Sequence, residues 1–502
     1  MVEGLLGAFG DILSPLPLLI LLSGTALGIL VGSLPGLSSP MAIIVLLPIT
    51  YTMDTVSAFQ LMIGIYVGTK LGGSYASILL RTPGTPAAAC TALDGFPMAQ
   101  KGMPGQAIGY SVMSSTMGGV LGWVVAVTCV PVIAGVALHS EPADIALIAI
   151  AGLLLVSAFV RGSMVRGMIG VMLGLMIASM GADVTDGVER YTFGYGMLSS
   201  GLPFAAVIVG FFGVAVVLSD MDMIGQKSEL ISKSSAVSLP KVSDFLKRWR
   251  AWSVGTGFGV IIGAIPGVGA DGSTFLSYAT VRNQSKEPKP EEFGTGVPEG
   301  IIAPESSNNA TTGGTMIPML TLGIPGDAST AVMLGAMILH GLEPGVLLMS
   351  TDADLVHGIL AAILVATLLM FCVGWLASSA FIKILTQDRS VLFPFIMVFA
   401  TIGAFAAENG TFPIYVAAFC GLAGFILERR GFSVVPIVLG AVLGPIIEYN
   451  VRLGLAFSNG HWTTFYGTWP RMAICAVIIF LIVNEVRQAL KRARSAPQPE
   501  TA

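Results

Sequence analysis

Charge is scarce in this chain: of 502 residues only 11% are Asp, Glu, Lys or Arg, while 54% are hydrophobic. Soluble domains carry roughly 25% charged residues, so this sequence cannot cover a soluble surface of its size. Other features are missing too. The first ten residues hold no Lys or Arg, so a cleavable secretory signal with a basic start is not expected. The five cysteines (Cys90, Cys129, Cys372, Cys420, Cys475) are far apart and form no CxxC pair, which fits small core residues better than disulfides or metal ligands. The four histidines form no HExxH or similar metal pattern. The net charge of -4 gives no sign of a nucleic-acid partner.

What is present is apolar sequence in long uncharged runs, such as residues 16–31, 143–160, 203–218 and 473–483. A stretch of about 18 or more apolar residues is long enough to span a bilayer. The expected fold class is therefore an all-α polytopic membrane protein of roughly a dozen spans, some broken or re-entrant.

A polar stretch, residues 219–250, contains Lys227, Lys233, Lys241, Lys247, Arg248 and Arg250. Short basic loops remain in the cytoplasm, and so would the basic tail at 487–502. The linker separates two halves that echo each other. Gly32-Ser-Leu-Pro35-Gly36 matches Gly263-Ala-Ile-Pro266-Gly267. Gly72-Gly73-Ser74 with Pro83-Gly84-Thr85 matches Gly313-Gly314-Thr315 with Pro325-Gly326-Asp327. Lys101-Gly102-Met-Pro104-Gly105 matches His340-Gly341-Leu-Glu343-Pro344-Gly345. Three matches in one order indicate an internal duplication. Loop charges alternate in opposite phase in the two halves: Lys101 against Glu343, Arg161 and Arg166 against Glu408, Asp183, Asp186 and Glu189 against Arg429 and Arg430. That pattern predicts inverted-topology repeats at 1–218 and 251–450, followed by a last segment and span at 451–486.

The four Pro-Gly breaks are the expected functional centre. An interrupted helix leaves backbone groups that lipid cannot satisfy. Freed N–H groups at a helix start attract anions, and freed carbonyls suit a hard cation. Paired breaks in corresponding positions of two halves point to a site at the membrane midplane. The substrate-binding candidates are Ser38, Ser39, Gly84, Thr85, Gly326, Asp327 and Ala328 at the breaks, with Ser307, Asn308 and Asn309 from the polar run at 305–314. Lys70 and Arg81 are added because a charge in a membrane segment is costly and, by default, functional. Gly36, Gly267, Gly269 and Asp271 are the cation-binding candidates, with sodium or a proton as the coupling ion and no cofactor. Asp94, in Asp94-Gly95-Phe96-Pro97, reads as a turn or capping residue.

Residues 64–102 and 296–345 carry long specific strings. They include Gly64-Ile-Tyr66-Val-Gly68, Gly72-Gly73-Ser74, Ile78-Leu79-Leu80-Arg-Thr-Pro83-Gly84-Thr85, Ala303-Pro304-Glu305-Ser-Ser-Asn308-Asn309-Ala310 and Leu322-Gly323-Ile324-Pro325-Gly326. At these residues the sequence resembles the large membrane subunit of tripartite tricarboxylate transporters, the TctA family. The resemblance implies a multi-pass permease of the bacterial inner membrane that imports organic carboxylates on a sodium or proton gradient. It also implies two partners, a small TctB-like membrane subunit and a periplasmic TctC-like binding protein, and no enzymatic activity. Leu71 stands where the family pattern has an aromatic residue, Lys70 where it is uncharged, and Arg81 where it is small and polar. The added positive charge points to a more highly charged or unusual carboxylate. A channel or an intramembrane enzyme on a similarly duplicated fold is the alternative, although no GxSxG, acid pair or metal motif supports an enzyme.

Overall fold

A computed structural model describes residues 2–34, 37–159, 164–183, 187–221, 237–378, 381, 392–408 and 410–495. The chain is almost entirely helical; the strand pair Gly181–Ala182 and Glu189–Arg190 is the exception among the described residues. It is an all-α polytopic membrane protein. Among the described residues five helices are long and apolar enough to cross a membrane: α2 (Pro15–Ser33), α6 (Pro104–Ala137), α17 (Ala353–Leu376), α19 (Phe412–Arg429) and α20 (Val434–Phe457).

Two compact units are present. The first comprises Met1–Leu138 and Leu202–Arg429, the second His139–Gly201 and Arg430–Ala502. Each therefore draws segments from both sequence halves. The second unit packs α7 (Pro142–Phe159) and α8 (Met164–Ala178) against α20 and α21 (Trp469–Ser495). One end of it is tied by ion pairs, with Arg190 on Glu448 (2.7 Å) and Arg471 on Asp144 (2.7 Å).

The first unit holds two helices buried on all sides, α4 (Thr55–Leu80) and α14 (Glu299–Leu322). The segments 35–99 and 266–339 were expected to be too broken for ordinary spans, yet these helices run unbroken for 26 and 24 residues. Two glycine series explain why α4 stays continuous. Gly24, Gly28 and Gly32 of α2 face Gly64, Gly68 and Gly72 of α4, and a Cβ on any of them would run into the opposite backbone. Small residues at every fourth position let helix backbones approach closely inside a membrane. These glycines pack helices and do not break them. Similarly, α12 (Trp249–Gly263) brings Gly255, Gly259 and Gly263 against α14, and α6 brings Gly118 and Gly122.

Three of the four Pro-Gly pairs fall between helical segments. Pro83-Gly84 follows α4, Pro266-Gly267 lies between α12 and α13 (Gly269–Gln284), and Pro325-Gly326 between α14 and α15 (Ala328–Leu339). The fourth pair, Pro35-Gly36, lies outside the described residues; α3 (Ser39–Thr50) follows it in the chain.

Candidate functional site

The break backbones are largely consumed within the protein. The Gly84 N–H donates to the Gly73 carbonyl at 3.3 Å, and the Gly267 N–H to the Gly326 carbonyl at 2.8 Å. Gly84 packs so tightly that an added Cβ would strike the Gly32 carbonyl at 2.0 Å, and one on Gly326 would meet the Gly263 carbonyl at 2.7 Å. Gly267 and Gly269 have φ of 75° and 55°, the left-handed region where glycine costs least. The N-terminus of α15, expected to attract an anion, already has one. Asp327 is its N-cap, accepting from the Thr330 N–H at 2.8 Å while the Thr330 hydroxyl accepts from the Asp327 N–H at 2.9 Å. Ala328, half-buried, follows as the first helical residue.

Side chains instead meet across α4 and α14. Lys70 is buried, and its Nζ donates to the Thr311 hydroxyl at 2.7 Å. The ammonium lies 4.6 Å from the centre of the Tyr66 ring, within cation–π range. Tyr66 donates its hydroxyl proton to Asp327 at 2.5 Å and sits 3.0 Å from the Thr315 hydroxyl. Asp327 and Asp271 are the anionic charges acting on Lys70, and Asp271 itself is exposed in the first turn of α13. Asn308 adds a long 3.4 Å bond to the Lys70 carbonyl.

One helical turn farther along, the same two helices hold a second centre. Glu305 is fully buried, and its carboxylate accepts four hydroxyls. Ser74 donates at 2.6 Å and Thr91 through a short bond to one oxygen, and Ser115 at 2.9 Å and Ser111 at 3.1 Å to the other. A carboxylate has about four lone-pair positions, so this one is saturated. Asp94 is another fully buried carboxylate. It accepts from Tyr278 at 2.9 Å and from the N–H groups of Gly294, Gly296 and Val297 at 2.8–2.9 Å. The capping role expected of it is therefore played on a loop some two hundred residues away, not on its own turn.

The hydroxyls of Thr85, Ser307 and Thr312 and the side-chain oxygen of Asn309 are also buried, with no hydrogen-bond partner among the described residues. The Asn309 amide nitrogen makes a long 3.4 Å bond to the Glu305 carbonyl. Of the remaining sequence candidates, Ser39 accepts from Thr69 at 2.6 Å at the start of α3, and Ser38 is that helix's N-cap position without a side-chain cap bond. Arg81 stands apart from the buried cluster. It is exposed at the C-cap of α4, with φ of 57°, stacked 5.6 Å from the Phe96 ring centre. Gly36 lies outside the described residues.

The structure thus joins Lys70, Asn308 and Asp327 in one cluster and adds Tyr66, Thr311 and Thr315, which the sequence reading passed over. Tyr66 lay inside a quoted motif, and an aromatic hydroxyl four residues before a buried lysine on one helix was a readable signal. The four hydroxyls around Glu305 carried no such signal, because they come from separate segments. No group of three or more metal-ligating side chains occurs among the described residues.

The model of the tripartite tricarboxylate transporter TctA family matches residues 18–439. An uncharacterized 52.8 kDa protein in the TAR-I ttuC' 3' region of Agrobacterium vitis is 33% identical over 494 residues, 98% of each chain. An uncharacterized protein in the TAR-II ttuC' 3' region of the same organism is 38% identical over 207 residues, 41% of this chain and 85% of that one. No solved structure matches.

Proposed function

Because the chain belongs to the tripartite tricarboxylate transporter TctA family, we propose that it is the large permease subunit of a secondary uptake system for organic carboxylates. Its cargo arrives on a periplasmic binding protein, and a small membrane subunit completes the assembly in the bacterial inner membrane. The observation that carries this reading is the buried Lys70 ammonium, held by Thr311 and faced by Tyr66 where α4 and α14 meet. A buried cation with a single short side-chain bond can take a substrate carboxylate as a charge-assisted partner. Its nearest fixed counter-charge, Asp327, is engaged by Tyr66 and by its own helix cap.

A cation gradient, of sodium or protons, supplies the driving force. The membrane potential alone contributes about 2.3 kcal/mol per charge per 100 mV. The buried carboxylates Glu305 and Asp94, together with Asp327, outnumber Lys70 in this core, which favours entry of a cation with the anion. Inverted repeats would let the two halves exchange access to the site.

The test is uptake of labelled citrate, succinate and benzoate by cells carrying the whole system. Accumulation against the gradient that collapses with the ion gradient is expected, and Lys70→Met should cut it by at least about tenfold, the loss of one charge-assisted bond. Equilibration without accumulation would turn the reading toward a channel. Unchanged uptake in Lys70→Met would remove the lysine from the path.

A further inference from the structure

The Lys70–Thr311 bond joins residues 241 positions apart, the same spacing that relates Gly72-Gly73-Ser74 to Gly313-Gly314-Thr315. Each is therefore the other's counterpart in the duplication. A contact between counterparts lies on the axis that exchanges the halves. The packing agrees: Gly84 sits against the Gly32 carbonyl and its counterpart Gly326 against the Gly263 carbonyl, the counterpart of Gly32.

An axis lets each side of Lys70 be compared with the other. On one side stands Tyr66, bonded to Asp327. At the same spacing the counterpart of Tyr66 is Ser307, and the Pro83-Gly84-Thr85 break puts Thr85 where the second half has Asp327. The Ser307 and Thr85 hydroxyls have no hydrogen-bond partner among the described residues, and both residues are more than nine-tenths buried. So one side of the pair is filled by a phenol and a carboxylate of the protein. The other side has two short hydroxyls with nothing to bond. Leaving a buried hydroxyl unsatisfied is costly, so a ligand is the expected partner.

We infer that the Ser307–Thr85 side is the carboxylate subsite, and that Asp327 is a built-in carboxylate occupying its mirror position. This deepens the transport reading and rests on it. Lys70, on the axis, then stands between two carboxylates: the tethered one of Asp327 and one from the substrate. The two hydroxyls are neutral donors suited to an anion. Because the mirror position is taken, this site grips one carboxylate group of the substrate, and the remainder of the molecule needs no second anion pocket here.

The experiment follows the melting temperature of the full purified chain in sodium benzoate, succinate or citrate against sodium chloride at equal sodium. All three carboxylates should raise the melting temperature of the wild type, the monocarboxylate included. Thr85→Val and Ser307→Ala should abolish that rise while leaving the ligand-free melting temperature equal or higher, since each removes an unsatisfied hydroxyl. Tyr66→Phe should lower the ligand-free value and keep the rise. The inference is overturned if the rise survives in both hydroxyl variants, if Tyr66→Phe abolishes it, if benzoate gives none while citrate does, or if no carboxylate moves the wild type. Cellular uptake separates the two readings. If uptake in both hydroxyl variants keeps the wild-type half-saturation, the subsite fails while transport stands; an increase of about tenfold is expected. If the wild type accumulates nothing yet the hydroxyl-dependent rise is present, transport fails and the subsite stands.

Discussion

Two buried polar centres lie one helical turn apart on the same pair of helices, and they are built on opposite principles. Around Glu305 every lone pair is taken by a hydroxyl from α4, α6 or the turn before α5 (Ala92–Gln100). Around Lys70 one hydroxyl, one ring and distant carboxylates do the same work less completely, and hydroxyls nearby in sequence go unpaired. A buried network with every member satisfied is rigid and specifies one arrangement; a partly satisfied one is poised to accept something else. The Glu305 centre therefore reads as the fixed joint between helices, and the Lys70 centre is the one at which we propose that the carboxylate binds.

Removing the carboxylate tests that contrast most severely. Glu305→Ala strands four buried hydroxyls, each costing about 1–3 kcal/mol if it finds no new acceptor. A total loss of at least about 3 kcal/mol is expected, enough to deplete folded protein in a detergent melt or an expression assay. Glu305→Gln keeps the shape and two acceptor positions, so it should lose less. Should Glu305→Ala melt like the wild type while Lys70→Met unfolds, the assignment of joint and binding centre is reversed.

Next in size is the glycine seam that fixes α4. Gly68 lies between Tyr66 and Lys70, and a Cβ there would collide with the Thr25 carbonyl. Overpacking a close backbone crossing costs about 1–3 kcal/mol. Gly68→Val should lower the melting temperature accordingly, and it should weaken carboxylate-dependent stabilisation further because Lys70 moves with the helix. An equal substitution at the open Gly7, where nothing lies within 4 Å, should do neither.

How much of this was readable beforehand differs between the two centres. The helical membrane class followed from charge and hydropathy. The repeated strings and the Pro-Gly pairs were visible, and Lys70, Asn308 and Asp327 were chosen for their chemistry. What sequence did not reveal was pairing at long range. Ser74, Thr91, Ser111 and Ser115 look like ordinary small polar residues until folding sends all four to one carboxylate. The opposite error came from glycine. It was read at the Pro-Gly breaks, whereas Gly24, Gly28, Gly32, Gly64, Gly68 and Gly72 hold two continuous helices together, because a fourfold spacing on one helix says little until its partner is known. The break backbones were expected to offer free donors, yet Gly73 and Gly326 carbonyls and the Asp327 side chain take them.

A smaller effect is expected where the Lys70 side is braced. Thr330→Val keeps the volume but removes the reciprocal half of the Asp327 cap, leaving the Asp327 N–H without its acceptor. Loss of a cap costs about 1 kcal/mol. The melting temperature should fall slightly, with carboxylate-dependent stabilisation retained, since Tyr66 still holds Asp327. If that stabilisation vanishes, Asp327 needs its cap to stay clear of the ligand.

The smallest effect belongs to a charge pair outside both centres. Asp244, in the short helix α11 (Val242–Lys247) within the polar stretch, lies 2.9 Å from Arg248. The hydrogen bond from that guanidinium, with its charge, holds the Asp244 carboxyl below its ordinary value. A depressed native pKa means the pair stabilises the fold above the unfolded carboxylate range, and the contribution is lost as pH falls through the native value. Wild type should therefore melt marginally above Asp244→Asn at neutral pH, and the two curves should merge in acid. Added salt should close the gap as well, because exposed pairs are screened. Glu305, sealed from ions, should show no such salt dependence in its own variants. A gap that persists in high salt would mean the pair is shielded by neighbouring protein, and the division between buried joint and solvated surface would have to be redrawn.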